Sequence, residues 1–169
     1  MSRLLDFIHR HEPRGQTLAH IKSGTGAVVA MTLVGGLAAW TGLPMLLAPF
    51  GATAVLLFGQ AESPLAQPAN IFGGYLVAAA ISVGMLALAP SAWWIATIAV
   101  GLVIAAMLLL RVTHPPAGAV PLVALSTHLP METLFLAVTA GAACLVGVAL
   151  VHHRLPPRIV YPRRQTEPN

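Results

Sequence analysis

From Ser23 to His153 the chain carries only three formally charged side chains, Glu62, Arg111 and Glu132. A stretch this long with so few charges cannot present a wetted surface, and that decides the class of fold before any motif is read. Soluble domains are about a quarter charged; this 169-residue chain is 8% charged and 57% hydrophobic. Several apolar runs approach the roughly 20 residues that a helix needs to cross a bilayer. None alternates with the period of two expected of a barrel strand. The expected fold is an all-α membrane protein, with the lipid bilayer as its first partner.

Prolines and glycines punctuate the apolar region. They predict four transmembrane helices, at residues 23–43, 71–89, 93–112 and 131–151, plus two short half-helices at 49–58 and 116–126. The short pieces reach only about 15 Å as helix. The arrangement helix, half-helix, helix therefore occurs twice, in two pseudo-repeats. Ala52-Thr53-Ala54-Val55-Leu56-Leu57 aligns with Ala117-Gly118-Ala119-Val120-Pro121-Leu122. Four crossings put both half-helices on the face opposite the termini, as re-entrant or interfacial pieces. The two halves would then be parallel, related by an axis along the membrane normal. On this scheme the single transmembrane domain covers 23–153. It lies between a basic segment, 1–22, and a basic tail, 154–169, expected to be disordered past Tyr161.

The formal net charge is +4, and apart from Arg111 every cation lies near an end: Arg3, Arg10, Arg14 and Lys22, then Arg154, Arg158, Arg163 and Arg164. This is the distribution that places both termini in the cytoplasm. A multi-pass protein of the bacterial inner (plasma) membrane is the expectation. The cations do not interleave with aromatics, so no nucleic-acid partner is expected. Four spans make a thin bundle, which predicts a homo-oligomer. The one cysteine, Cys144, lies within an apolar run and offers neither a disulfide nor a thiolate cluster. His9-Arg10-His11 reads as a solvated tail. His128 and Glu132 are four residues apart, but Pro130 lies between them and no third ligand is apparent, so no metal site is predicted. No nucleophile and base can be paired, so no catalytic residue and no cofactor are expected.

Polar chemistry concentrates at Arg111-Val112-Thr113-His114-Pro115-Pro116-Ala117-Gly118. Arg111 is the lone cation of the apolar region. Counted from Trp93 it falls near the outer edge, either lining a pore or snorkelling to the interface. His114 follows, able to hydrogen-bond an anion or to cap a buried turn. Pro115 and Pro116 suit the first turn of a helix, whose N-terminus carries partial positive charge. The counterpart in the first half is Pro49-Phe50-Gly51, with Thr53 as its hydroxyl. Ser63, Gln67 and Asn70 read as groups that satisfy loop backbone, and Glu62 as a solvated loop residue. Arg111, His114, Pro115, Pro116, Gly118, Pro49, Phe50, Gly51 and Thr53 are thus the candidate substrate or pore residues.

Residues 113–122, THPPAGAVPL, and 48–70, APFGATAVLLFGQAESPLAQPAN, resemble the HPP family of integral membrane proteins, in the order and spacing of that family. The resemblance runs from about Ser23 to Val151. It implies a four-span protein, and because plastid and cyanobacterial members are implicated in nitrite transport, it implies a channel or facilitator for nitrite or a similar small inorganic anion. It also implies no nucleotide control, since the appended regulatory domains of some relatives are not expected here. The alternatives are a membrane-embedded enzyme and a non-transporting membrane assembly protein.

Overall fold

The computed structural model describes residues 16–88 and 92–163. The N-terminal segment before Gln16, with its His9-Arg10-His11 tract, the Pro90-Ser91 turn and the tail beyond Arg163 lie outside them. Helices α1 (Thr17–Thr41), α3 (Pro68–Leu88) and α6 (Met131–His152) are long and apolar enough to cross a membrane. Between them are shorter apolar pieces. These are α2 (Ala48–Ala54), continued by a π-turn over Val55–Gly59, and α4 (Trp93–Leu109); then comes a 3₁₀ turn (Pro115–Ala119) running into α5 (Val120–Thr127). No strand occurs among the described residues.

Each boundary has a local cause. α1 ends at Gly42, whose φ of 74° is the left-handed geometry of a helix C-cap, and its N–H returns to the Ala38 carbonyl. Pro44 then prevents the helix from resuming. α2 begins with a proline in its first turn, as does α5. Pro121 lies where the 3₁₀ turn becomes α-helix, and its missing N–H coincides with that change of ladder. α1 starts at Thr17, so residues 17–22 belong to the helix and not to a separate N-terminal segment.

Contacts fix which way each piece runs. Leu46 lies 3.5 Å from where a Cβ on Gly35 would be, and Phe58 lies 2.6 Å from the same point on Gly26. Gly26 and Gly35 are nine residues apart on α1, about 13 Å. The segment from Leu46 to Phe58 therefore runs back along α1 towards its start. Its lower end, the start of α1 and the end of α6 are tied together. Lys22 Nζ donates to the carbonyls of Leu155 and Pro157, at 2.6 and 2.5 Å. His153 Nε2 donates to the Leu57 carbonyl at 2.8 Å, and the Tyr161 hydroxyl to the Ala66 carbonyl at 2.9 Å.

The loop from Gln60 to Gln67 thus shares an end of the bundle with the start of α1 and the end of α6, which corrects its expected place on the opposite face. Length explains the difference. Leu43 to Leu47 are not helical, and with the 12-residue helical piece of about 18 Å they carry the chain from the end of α1 at Thr41 back to the level of Gly26. The short element, expected to be re-entrant or interfacial, instead returns through the bundle as a non-helical piece followed by a helical one. Its buried backbone is relieved by short-range bonds: Met45 N–H donates to the Leu43 carbonyl at 2.8 Å and Leu47 N–H to Met45 at 2.9 Å.

The second half repeats the device upside down. The segment after α4 is anchored at the terminus end, where Asn70 Nδ2 donates to the Thr113 carbonyl at 2.9 Å and Val112 packs on Gly73. From there the 3₁₀ turn and α5 lead to the far end, where α6 starts. Each half therefore passes through the bundle three times, and the halves run antiparallel. The expected parallel repeat is corrected to an inverted one.

Two further expectations change with this. Arg111 lies at the terminus end, with Lys22, Arg154, Arg158 and Arg163, and not at the outer edge. Its φ of 58° belongs to a tight turn that follows α4 at Leu109, where the third span was expected to continue to Val112. The tail from Arg154 to Arg163 is not loose: besides the Lys22 and Tyr161 contacts, Arg163 N–H donates to Gln67 Oε1 at 2.8 Å.

Cysteine reporters at Ser63 and Thr127, in a Cys144→Ala background, test the inverted arrangement. An impermeant thiol reagent is expected to reach Ser63→Cys only from the face that carries Arg158, and Thr127→Cys only from the other. Labelling of both positions from one face would overturn it.

Candidate functional site

The two halves meet where their broken helices begin. α2 packs against the 3₁₀ turn, and α3, α4 and α6 close around them. At this junction Thr53 from the first half and His114 from the second are both fully buried. His114 Nε2 lies 2.8 Å from Thr53 Oγ1, which lies 2.7 Å from the Tyr75 hydroxyl. His114 Nδ1 lies 2.8 Å from the Leu65 carbonyl.

The partners assign the protons. The Leu65 carbonyl can only accept, so Nδ1 carries the hydrogen and Nε2 is the bare acceptor. Thr53 O–H then donates to Nε2, and Tyr75 O–H donates to Thr53. Every polar atom is satisfied, as a buried site requires. The Pro49 carbonyl, 3.2 Å from Thr53 Oγ1, is a second acceptor within reach. If His114 takes up a proton, Nε2–H can donate to Thr53 while the Thr53 hydroxyl turns to Pro49. The cluster therefore accepts a proton by rotating one hydroxyl, without losing a bond.

Packing holds these groups in register. Phe50 meets Tyr75 edge-on, with ring centroids 5.3 Å apart, and its far edge fills the space that a side chain on Gly141 would occupy. Gly74 lets His114 approach: a Cβ there would lie 2.7 Å from the His114 Cβ and 3.2 Å from the Val112 carbonyl oxygen. Ser63, Gln67 and Asn70 serve backbone. Ser63 Oγ accepts from Leu65 N–H, Gln67 Nε2 donates to the carbonyls of Ala61 and Ser63, and Asn70 bonds the Thr113 carbonyl. They shape the loop that presents Leu65 to His114.

Of the residues expected at the site, the structure brings together His114, Thr53, Pro49, Phe50 and Pro116, all buried. Gly118 is half-buried beside them, with nothing within 4 Å of where a Cβ would be. Pro115 and Arg111 are exposed, and Gly51 faces an external groove. Arg111 is therefore not a wall of this buried cluster. Two members were not anticipated. Tyr75 is one of only two tyrosines and stands within an apolar helix, where its hydroxyl needs a partner. The Leu65 carbonyl left no trace in sequence. Among the described residues no group of His, Cys, Asp and Glu could hold a metal.

Residues 12–162 match the family model described as HPP, transmembrane region, so the chain belongs to this family. It is also similar to two transmembrane proteins of Dictyostelium discoideum. One is 30% identical over 125 residues, 69% of this chain and 40% of the relative; the other is 28% identical over 128 residues, 71% and 45% respectively. The chain thus spans less than half the length of these curated relatives. No solved structure matches it.

The cluster's contribution to stability is measurable. Thr53→Val keeps the shape but strands His114 Nε2 and the Tyr75 hydroxyl, at a cost of about 1–3 kcal/mol. Gly74→Ala forces His114 against backbone and is expected to cost a similar amount. Gly118→Ala, by contrast, should be tolerated. Thermal unfolding in detergent checks all three, and an unshifted midpoint for Thr53→Val would remove the cluster from the core's energetics.

Proposed function

We propose that this HPP protein moves a small inorganic anion, with nitrite as the leading candidate, across the membrane at the junction of its two broken helices. One observation carries the reading: His114 of one inverted half and Thr53 of the other are hydrogen-bonded to each other in a fully buried junction. Discontinuous helices that begin side by side at a repeat interface are the usual build of a transport site. Polar side chains kept inside an apolar bundle are costly and are retained where they serve a pathway. Helix starts favour negative charge, and the hydroxyls and imidazole supply donors without a fixed cation that would hold the anion. The choice of nitrite rests on the family resemblance.

In this reading the broken segments cross the bilayer, giving six passes and a cytoplasmic face marked by Lys22, Arg111, Arg154, Arg158 and Arg163. The compartment is a bacterial inner membrane. The junction is closed, and passage requires the Thr53–His114 bond to open. A proton on His114 shifts Thr53 towards Pro49, so flux is expected to depend on pH through His114. No group is asked to break a covalent bond, so the protein is proposed as a transporter and not an enzyme. A groove of about 490 Å³ between α1 and the broken helix, lined by Gly24, Ala27, Gly51, Ala54 and Gly59, suits close approach of a second copy.

A second reading is a structural latch, favoured by the complete satisfaction of the cluster. Flux in liposomes separates the two. The wild-type protein is expected to pass nitrite down its gradient with little sodium or potassium. His114→Gln should cut flux at least about tenfold. Arg111→Gln should leave most of the flux, because Arg111 is outside the cluster. Nitrite passage equal to that of empty liposomes would leave only the latch.

A further inference from the structure

A second polar site lies at the terminus end, away from the junction. His153 is only 2% exposed, and with Arg154, Arg158, Ile159 and Val160 it lines a cavity of about 450 Å³. Its Nε2 meets the Leu57 carbonyl at 2.8 Å, so that nitrogen carries a hydrogen. Its Nδ1 is buried and has no partner among the described residues. Buried polar atoms in folded proteins nearly always find one. In a neutral ring Nδ1 is a bare acceptor; in a charged ring it becomes a donor, beneath a tail segment that carries two guanidinium groups.

We propose that this cavity is a binding site for a phosphate-type oxyanion, held by Arg154 and Arg158 and by a His153 Nδ1–H that forms as the anion enters. Guanidinium groups match phosphate oxygens in paired, charge-assisted bonds. The site is built and not incidental. Lys22 anchors the carbonyls of Leu155 and Pro157, and the Ile159 N–H donates to the His153 carbonyl at 3.1 Å, so the segment that carries both arginines is folded over the histidine. The Tyr161 ring, 5.3 Å from the His153 ring between centroids, covers another side, and Phe58 and His152 cover the rest.

The groups that face His153 set the sign of its pH dependence. They are Lys22 from α1, His152 on its own helix, and Arg154, Arg158 and Tyr161 from the tail. Burial holds the empty site's imidazole below the usual histidine range, with Lys22 adding to that effect. An oxyanion beside the ring favours the charged form, so the bound state holds more protons and affinity rises as pH falls. The same chemistry is offered by free phosphate and by the headgroup of an anionic lipid, since the arginines stand at the end of a membrane bundle.

The test uses the full-length protein in detergent, with thermal stabilisation and calorimetric binding read at pH 6 and pH 8. The probes are inorganic phosphate, short-chain phosphatidic acid and, as a control, short-chain phosphatidylcholine, at matched ionic strength. Phosphate or phosphatidic acid is expected to bind more tightly at pH 6, and removing both guanidiniums in Arg154→Gln/Arg158→Gln to weaken binding at least about tenfold. Binding of phosphatidic acid alone assigns a lipid headgroup; equal binding of phosphate assigns a free ion. His153→Gln, whose amide can still donate to Leu57, should abolish the difference between pH 6 and pH 8. If that variant does not fold, the double arginine variant carries the test, because both side chains are exposed. No binding of either anion, or equal binding by the double variant, would overturn the site.

Discussion

The whole structure depends on the need to satisfy backbone in apolar surroundings. A helix does this internally, but two stretches within the apolar region, Leu43–Leu47 and Val112–His114, are not helical. The first is relieved by bonds two residues long and by the hydroxyl of Thr41, which accepts from Leu43 N–H at 3.3 Å. The second borrows from its neighbours: Asn70 serves the Thr113 carbonyl, and His114 reaches out to Leu65. These loans between segments tie the halves to each other. A chain of six ordinary helices would have no such obligation.

From that constraint the polar centre follows. Because the broken passes begin with prolines, each lacks N–H groups that a helix start would otherwise present, and side chains complete the junction instead. Thr53 is the shared element. Its oxygen accepts from Tyr75 and its hydrogen chooses between His114 and Pro49, so one small residue links three helical pieces. Cooperative chains of this kind stiffen a core when complete and give it a second arrangement when one proton is added. The same bonds that make the junction stable therefore make it switchable.

How much of this was legible in the sequence depends on what was local. The membrane class, the all-helical fold and the two short elements could be read from composition, punctuation and repeat, and the repeat aligned Pro49-Phe50-Gly51 with His114-Pro115-Pro116. Direction could not. Residues 49–58 are too short to cross as helix, and a non-helical Leu43–Leu47 carries no signature of direction in a run of Leu, Pro and Met. That single missed pass inverted everything after it. It moved the loop from Gln60 to Asn70 and Arg111 to the wrong face, and turned an antiparallel repeat into a parallel one. Tyr75 was missed because an aromatic in an apolar helix looks like core until its hydroxyl is followed.

The corrected direction also resolves the one cation that did not fit. On the four-span scheme Arg111 was a lone charge on the outer face, which the bias of basic residues to one side disfavours, and a role in a pore was the remaining explanation. With three passes in each half, Arg111 joins Lys22, Arg154, Arg158 and Arg163 at one end, while Glu132 begins α6 at the other, within a helix first turn that suits a carboxylate. The anomaly disappears, and with it the argument for placing Arg111 in the pathway. What remains at the junction carries no fixed charge: an imidazole, two hydroxyls and backbone carbonyls. A junction built that way cannot hold an anion by fixed charge, so any selectivity for anions has to arise from oriented dipoles and from a proton taken up by His114.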